Sequence, residues 1–162
     1  MATKADFTPD QWRSLLEAPL MASFAVSAAA PSGFIGTLLE SMASADALAA
    51  GENDASELVR SVVADLLTAR GRSAARGGVQ RLIEAAELPE IKARALTQLA
   101  EAARIVDANA PAEAAAYKAW VAQIAVCVAG AAAEGGFLGI GGEMISAEER
   151  AALHEIDVAL SR

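Results

Sequence analysis

Apolar residues recur at helical spacing along most of the chain and rarely alternate, and the gaps between the apolar stripes carry helix-start and helix-stop signals. The first start is Thr8-Pro-Asp-Gln11: a capping hydroxyl, a proline at the first helical position, an acid, and a glutamine completing a capping box. Trp12, Leu15 and Leu16 give this helix an apolar side, and Pro19 predicts a kink or restart because its ring removes a backbone donor. The helix is expected to continue through Leu20, Met21, Phe24 and Val26 to about Ala30, where Pro31 halts it. A second helix is predicted from Phe34 to Ala50, with Gly51 as a left-handed stop. Asp54-Ala-Ser-Glu57 reads as another capping box, opening a helix to about Arg70. Leu58, Val62 and Leu66 form its inner row, flanked by Val59, Val63 and Leu67, and Gly71 is expected to end it. A weaker helix follows from Ser73 to about Glu87, carrying Val79, Leu82 and Ile83 and loosened by Gly77-Gly78. Pro89 opens the next, with Ile91, Ala95, Leu99, Ala102 and Val106 on one face as far as Asn109. Pro111 starts a long helix through Tyr117, Trp120, Val121, Ile124 and Val128 to about Ala133, and Ser146-Ala-Glu-Glu149 caps a last one carrying Leu153, Ile156 and Leu160. The pattern predicts a single compact all-α domain of about seven helices over residues 1–162.

Two breaks between helices resemble each other. Ala28-Ala-Ala-Pro-Ser-Gly-Phe-Ile-Gly36 and Ala131-Ala-Ala-Glu-Gly-Gly-Phe-Leu-Gly139 share Gly-Phe-[Ile/Leu]-Gly, and a glutamate, Glu40 or Glu143, follows each. Each is preceded by a run of small and apolar residues, so the chain reads as an internal pseudo-repeat with elements at about 18–40 and 119–143. The two small-residue helices, around 20–30 and 119–133, are expected to pack on each other.

Composition supports the helical reading. Apolar residues make up 54 % of the chain and aromatics only 4 %, so the core must be built from alanine and aliphatics, which form helices well and allow close helix contacts. The net charge is −8, unevenly distributed: residues 54–104 carry eight basic and seven acidic side chains, while both flanking regions are strongly acidic. That balance argues against nucleic acid or an anionic membrane as partner. Glu17 to Glu40 bracket an uncharged stretch long enough to span a bilayer, but its alanine, serine, glycine and two prolines suit hydrocarbon poorly. The residues before it are not net positive, as an export signal would require. No stable membrane insertion is expected, and the lone Cys127 fits a reducing, cytoplasmic compartment.

The residues that carry chemistry are few. The glycine-rich run from Gly135 to Gly142 matches neither Gly-x-Gly-x-x-Gly nor Gly-x-x-x-x-Gly-Lys and follows a helix rather than a strand, which excludes the usual phosphate cradles. Its apolar residues predict a loop packed into the core or gripping a partner or apolar ligand. The contact candidates are Gly135, Gly136, Phe137, Leu138, Gly139 and Ile140, with Gly33, Phe34, Ile35 and Gly36 in the first copy. Glu40 and Glu143 share acid–base work only if the fold brings them together. His154 lacks a partner at metal-ligand spacing and is expected on an exposed helix face, and Cys127 is expected to be a small buried hydrophobe. Arg70, Arg72, Arg76 and Arg81 form the one basic cluster, with Arg70 expected to end a helix and the rest to be solvated. No catalytic set, metal ligand set or cofactor site is read from the sequence.

The C-terminal run Gly135-Gly-Phe-Leu-Gly-Ile-Gly-Gly142, followed by Ser146-x-x-Glu149 and Leu153-x-x-Ile156-x-x-x-Leu160, resembles the closing signature of a family of small bacterial helical proteins. Phe7-Thr-Pro-x-x-Trp12 with Ala18-Pro19 is similar to the same family, so the resemblance covers most of the chain. It implies a bacterial helical protein and carries no activity with it. More loosely, Ala131 to Glu149 resembles the TerB-like tellurite-resistance fold, in which an acid-glycine turn precedes a capped helix. Here Phe137, Leu138 and Ile140 replace the aspartates that would bind a metal there, so the likeness implies the fold more than a metal. The functional expectation is a non-enzymatic cytoplasmic interaction or accessory protein, acting on a protein partner or as a homodimer. A binder of a small apolar ligand is the second reading, and a TerB-like metal-binding domain the third.

Overall fold

A computed structural model of the chain describes residues 1–29, 50–84, 88–134 and 145–162. Among them, one turn of 3₁₀ helix (Lys4–Asp6) precedes six α-helices: α1 Pro9–Ser27, α2 Glu57–Leu66, α3 Ala69–Glu84, α4 Leu88–Asn109, α5 Pro111–Glu134 and α6 Ala147–Leu160. They pack as one all-helical domain. No described helix is long and apolar enough to cross a membrane.

Helix α1 is the spine of the domain and touches all five other α-helices. Its start follows the sequence: the Thr8 hydroxyl accepts from the Gln11 N–H at 3.2 Å, and the Gln11 side chain accepts from the Thr8 N–H at 2.9 Å. From Met21 to Ser27 every residue is buried, which is why this half shows no polar face. The hydroxyls of Ser23 and Ser27 are buried with it, and donate to the carbonyls of Pro19 and Ser23 one turn back, at 2.7 and 2.9 Å.

Pro19 lies within this continuous helix rather than restarting it. Lacking an N–H, it leaves the Leu15 carbonyl without its helical donor. That carbonyl is supplied from another helix: the hydroxyl of Tyr117 on α5, which is fully buried, donates to it at 2.9 Å. A defect in one helix is thereby turned into a specific bond to another. It also fixes α1 against α5, the two helices that carry the small-residue segments.

The connections show where glycine was misread. Gly51 is not a left-handed stop; it lies in a helical turn that reaches residue 52. A Cβ there would come within 2.7 Å of both the Trp120 Nε1 and a Val63 methyl, so close packing is what requires glycine. Ser56, not Asp54, caps α2: its hydroxyl accepts from the Val59 N–H, while an Asp54 carboxylate oxygen accepts from the Ser56 N–H at 2.7 Å to shape the approach. Gly71 does not terminate α2 either. The chain breaks after Leu66 and restarts at Ala69, because the Thr68 hydroxyl accepts from the Gly71 N–H at 2.9 Å and begins a new helix. Gly71 then sits so close to the end of α2 that a Cβ would fall 2.0 Å from the Asp65 carbonyl oxygen.

Helices α4 and α5 are joined by Ala110 alone, with Pro111 at the first position of α5 and Lys118 paired to Asp107 at 2.6 Å across the turn. Helix α6 packs on α4 and α5, starting from the expected capping box between Ser146 and Glu149. The Gly-Phe-[Ile/Leu]-Gly segments on which an internal pseudo-repeat is expected lie in 30–49 and 135–144, outside the described residues.

Candidate functional site

The contact candidates Gly33, Phe34, Ile35 and Gly36, and Gly135, Gly136, Phe137, Leu138, Gly139 and Ile140, lie outside the described residues, as do Glu40 and Glu143. His154 is exposed on α6, as its flanking charges predict. Cys127 is exposed and not the buried hydrophobe expected of it, because α5 turns Val128 and Ala129 inward and leaves Gln123, Val126 and Cys127 outside. Among the described residues no three histidine, cysteine or acidic side chains converge as a metal site would need.

The basic cluster leads to a set of surface depressions among the described residues. Where α3 lies along α1 and α4, three depressions follow one another. The first, about 440 Å³, opens between the N-terminal turn, α1 and the α2–α3 break, and is lined by Lys4, Trp12, Arg13, Asp65 and Arg70 among others. Arg13 also lines the second, about 220 Å³, with Glu17, Arg81, Gln98 and Glu101. Arg81 and Gln98 line the third, about 240 Å³, together with Arg94 and Thr97. Shared walls make them one groove.

Its electrostatics are set by which charges are already engaged. Glu17 is 8 % exposed on α1 and faces α3, where a Cβ on Gly78 would approach its carboxyl carbon to 2.4 Å. The Arg81 guanidinium donates to it at 2.7 Å, and Arg13 stands 3.8 Å away, one turn earlier on α1. Burial pushes the Glu17 carboxyl above the ordinary glutamate value, and the two guanidinium groups offset this only in part. Asp65 shows the opposite balance. Burial pushes its carboxyl up, but it accepts from Lys4 and the Trp12 indole, each at 2.7 Å, and from Thr68, and these donors hold it below the ordinary aspartate range. Glu101 takes two guanidinium bonds from Arg104, which hold it low. The acids of the groove are thus occupied within the protein.

Four of its five cations are engaged too, Lys4 with Asp65, Arg13 with Asp10 at 2.8 Å, Arg81 with Glu17 and Arg94 with Glu90 at 3.9 Å, and Arg70 is the exception. Arg70 is exposed, and among the described residues nothing accepts from it. It does not end a helix as expected; it lies in the first turn of α3, which has no acidic residue. Arg72 follows it and donates to the Leu67 carbonyl, and Arg76 is exposed on α3. Cations at a helix N-terminus oppose the macrodipole, at a cost of roughly 0.3–1 kcal/mol each. The groove has little to react with. Its hydroxyls, Ser14 and Thr97, bond back to the carbonyls of Asp10 and Ala93, and neither an imidazole nor a thiol lines it.

Sequence reading found the arginines and missed the groove, because it assigned Arg81 to solvent and gave Glu17 no role. The signal was present in two places: the i, i+4 spacing of Arg13 and Glu17, and a Gly-Gly pair in mid-helix, which makes room for a neighbour. No protein-family model matches the chain, and comparison with curated proteins and with solved structures likewise gives no match.

Proposed function

We propose that the chain is a non-enzymatic interaction protein and that it meets its partner along the α3 groove. The observation that carries this reading is Arg70, an exposed guanidinium at the unfavourable end of a helix, with no acid paired to it among the described residues. Local rules broken without an internal gain mark functional surfaces more often than structural ones. The same groove has acids that are saturated and hydroxyls that are turned back on their helices, which favours holding over transforming. A cytoplasmic setting belongs to the same proposal and rests on the lone cysteine.

Two measurements test it. Purified protein offered a panel of hydrolase and transferase substrates should show no turnover; turnover that disappears on Arg13→Ala or Arg70→Ala would overturn the reading. A photoactivatable side chain at Ala74, in the groove, should crosslink a binding partner, whereas the same group at Val158 on α6 should not.

A further inference from the structure

We propose that the occupant of the α3 groove is an extended acidic peptide segment of a partner protein. This deepens the interaction reading above and rests on it.

The groove sets five cations, Lys4, Arg13, Arg70, Arg81 and Arg94, against three carboxylates, Glu17, Asp65 and Glu101, and so keeps a local excess of positive charge. Arg70 and Arg81 lie on one side of α3, eleven residues apart, about 17 Å at the helical rise. That distance matches about five residues of extended chain. A peptide is favoured over a compact anion because the cations are spread over three linked depressions and not gathered in one.

Charge balance selects among polyanions. The whole chain carries −8, so the cationic strip is a local feature on an acidic body. Screening confines its attraction to about 8 Å at physiological ionic strength. A short peptide fits within that strip, whereas a duplex or a lipid surface extends beyond it and meets the acidic remainder. Single-stranded nucleic acid would also need bases to stack, and the groove's aromatic residues, Phe7 and Trp12, are 9 % and 3 % exposed. The carboxylates already in the groove have a role in this arrangement. Glu17 and Asp65 hold Arg81 and Lys4 in fixed positions, and an arriving carboxylate then takes the guanidinium and ammonium hydrogens that point outward.

The test is fluorescence anisotropy of labelled hexaglutamate with the full chain, beside labelled hexalysine, a labelled thymidine dodecamer and vesicles of phosphatidylcholine with phosphatidylserine. Hexaglutamate should bind, weaken as salt rises, and bind roughly tenfold more weakly to Arg70→Glu and to Arg94→Glu. Circular dichroism verifies that each variant is folded. Should Arg70→Glu not fold, amide chemical-shift changes in the unaltered protein decide the matter: they should map to Arg70, Ala74 and Arg94, not to α6. Unchanged affinity in folded variants, shifts confined to α6, or tighter binding of hexalysine, the oligonucleotide or the vesicles each overturns the acidic-peptide inference. None of these outcomes creates turnover, so the broader reading stands or falls separately on the substrate panel.

Discussion

The bond between Tyr117 and the Leu15 carbonyl offers a sharp energetic test of how Pro19 is accommodated. Removing the hydroxyl with Tyr117→Phe leaves the ring in place but deprives a fully buried carbonyl of its donor, since the residue one turn on is a proline. Burial pushes the phenol's pKa well up, so the hydroxyl keeps its proton through the accessible pH range. Stranding a buried acceptor costs about 1–3 kcal/mol. In a chain of this size, that is a fall in Tm of roughly 2–4 °C per kcal/mol. Pro19→Ala alone has a mixed effect, because it returns an N–H to the helix and also removes buried ring atoms. The double-mutant cycle separates these contributions. In the Pro19→Ala background the Leu15 carbonyl regains its helical donor, so Tyr117→Phe should cost clearly less there. The expected coupling is about 1–2 kcal/mol. Urea unfolding of the four proteins, followed by circular dichroism, measures it. Additivity within about 0.5 kcal/mol would show that the two residues act independently and would refute the compensation.

Three further predictions come from close contacts and carboxylates. Gly77→Ala should stabilise by about 0.5–1 kcal/mol, since the added methyl meets only the flexible end of Arg81 at 3.4 Å, whereas Gly78→Ala should destabilise by driving into Glu17; thermal melts of the pair should move in opposite directions. Glu113 accepts from the Ser56 hydroxyl at 3.1 Å and the Leu58 N–H at 3.2 Å, and from the Ala2 N–H, so Glu113→Gln should cost about 1–3 kcal/mol in chemical denaturation at neutral pH. Burial alone would raise its carboxyl pKa, but these donors hold it below the ordinary value of 4.5, so its contribution is present above that value and lost as pH falls through the folded-state pKa. Glu17 has the opposite sign: its folded pKa lies above the ordinary 4.5, the native state holds the extra proton between the two, and stability falls as pH rises through that window. Acid-range stability curves should therefore fall less steeply toward low pH in Glu113→Gln, and lose less stability as pH rises above 4.5 in Glu17→Gln; a like change in both variants would contradict these assignments.

Much of the fold was legible because local and tertiary signals agree. Thr8 and Ser146 announce their helices with capping boxes that form as written, and the stripe of Leu58, Val62 and Leu66 is buried as its spacing requires. Errors arose where one residue type serves two purposes. Gly51 and Gly71 look like stops, yet each permits a close approach that only tertiary structure creates: Trp120 and Val63 against one, the Asp65 carbonyl against the other. Cys127 was placed inside because its neighbours are apolar, but in an alanine-rich helix the outer face is apolar too. The groove was illegible for a different reason. A lone glutamate at the margin of an apolar stripe has no periodicity to betray its burial, and its partner Arg81 is sixty-four residues away in sequence.

Helix α3 gathers several choices that ordinary stability would not select. It has a glycine pair at its middle, arginines at its positive end, and a buried glutamate of α1 pressed against it. Internal packing explains part of this: Gly78 makes room for Glu17, and Arg81 with Arg13 neutralises it. Yet a buried ion pair can often be replaced by apolar side chains with no loss of stability, so the pair is weak grounds for such an arrangement by itself. What the pair does achieve is to hold guanidinium groups at fixed points beside the unengaged Arg70. The glycines, the buried carboxylate and the misplaced arginine then have one common consequence: guanidinium groups tethered along one side of α3, with Arg70 unpaired among the described residues.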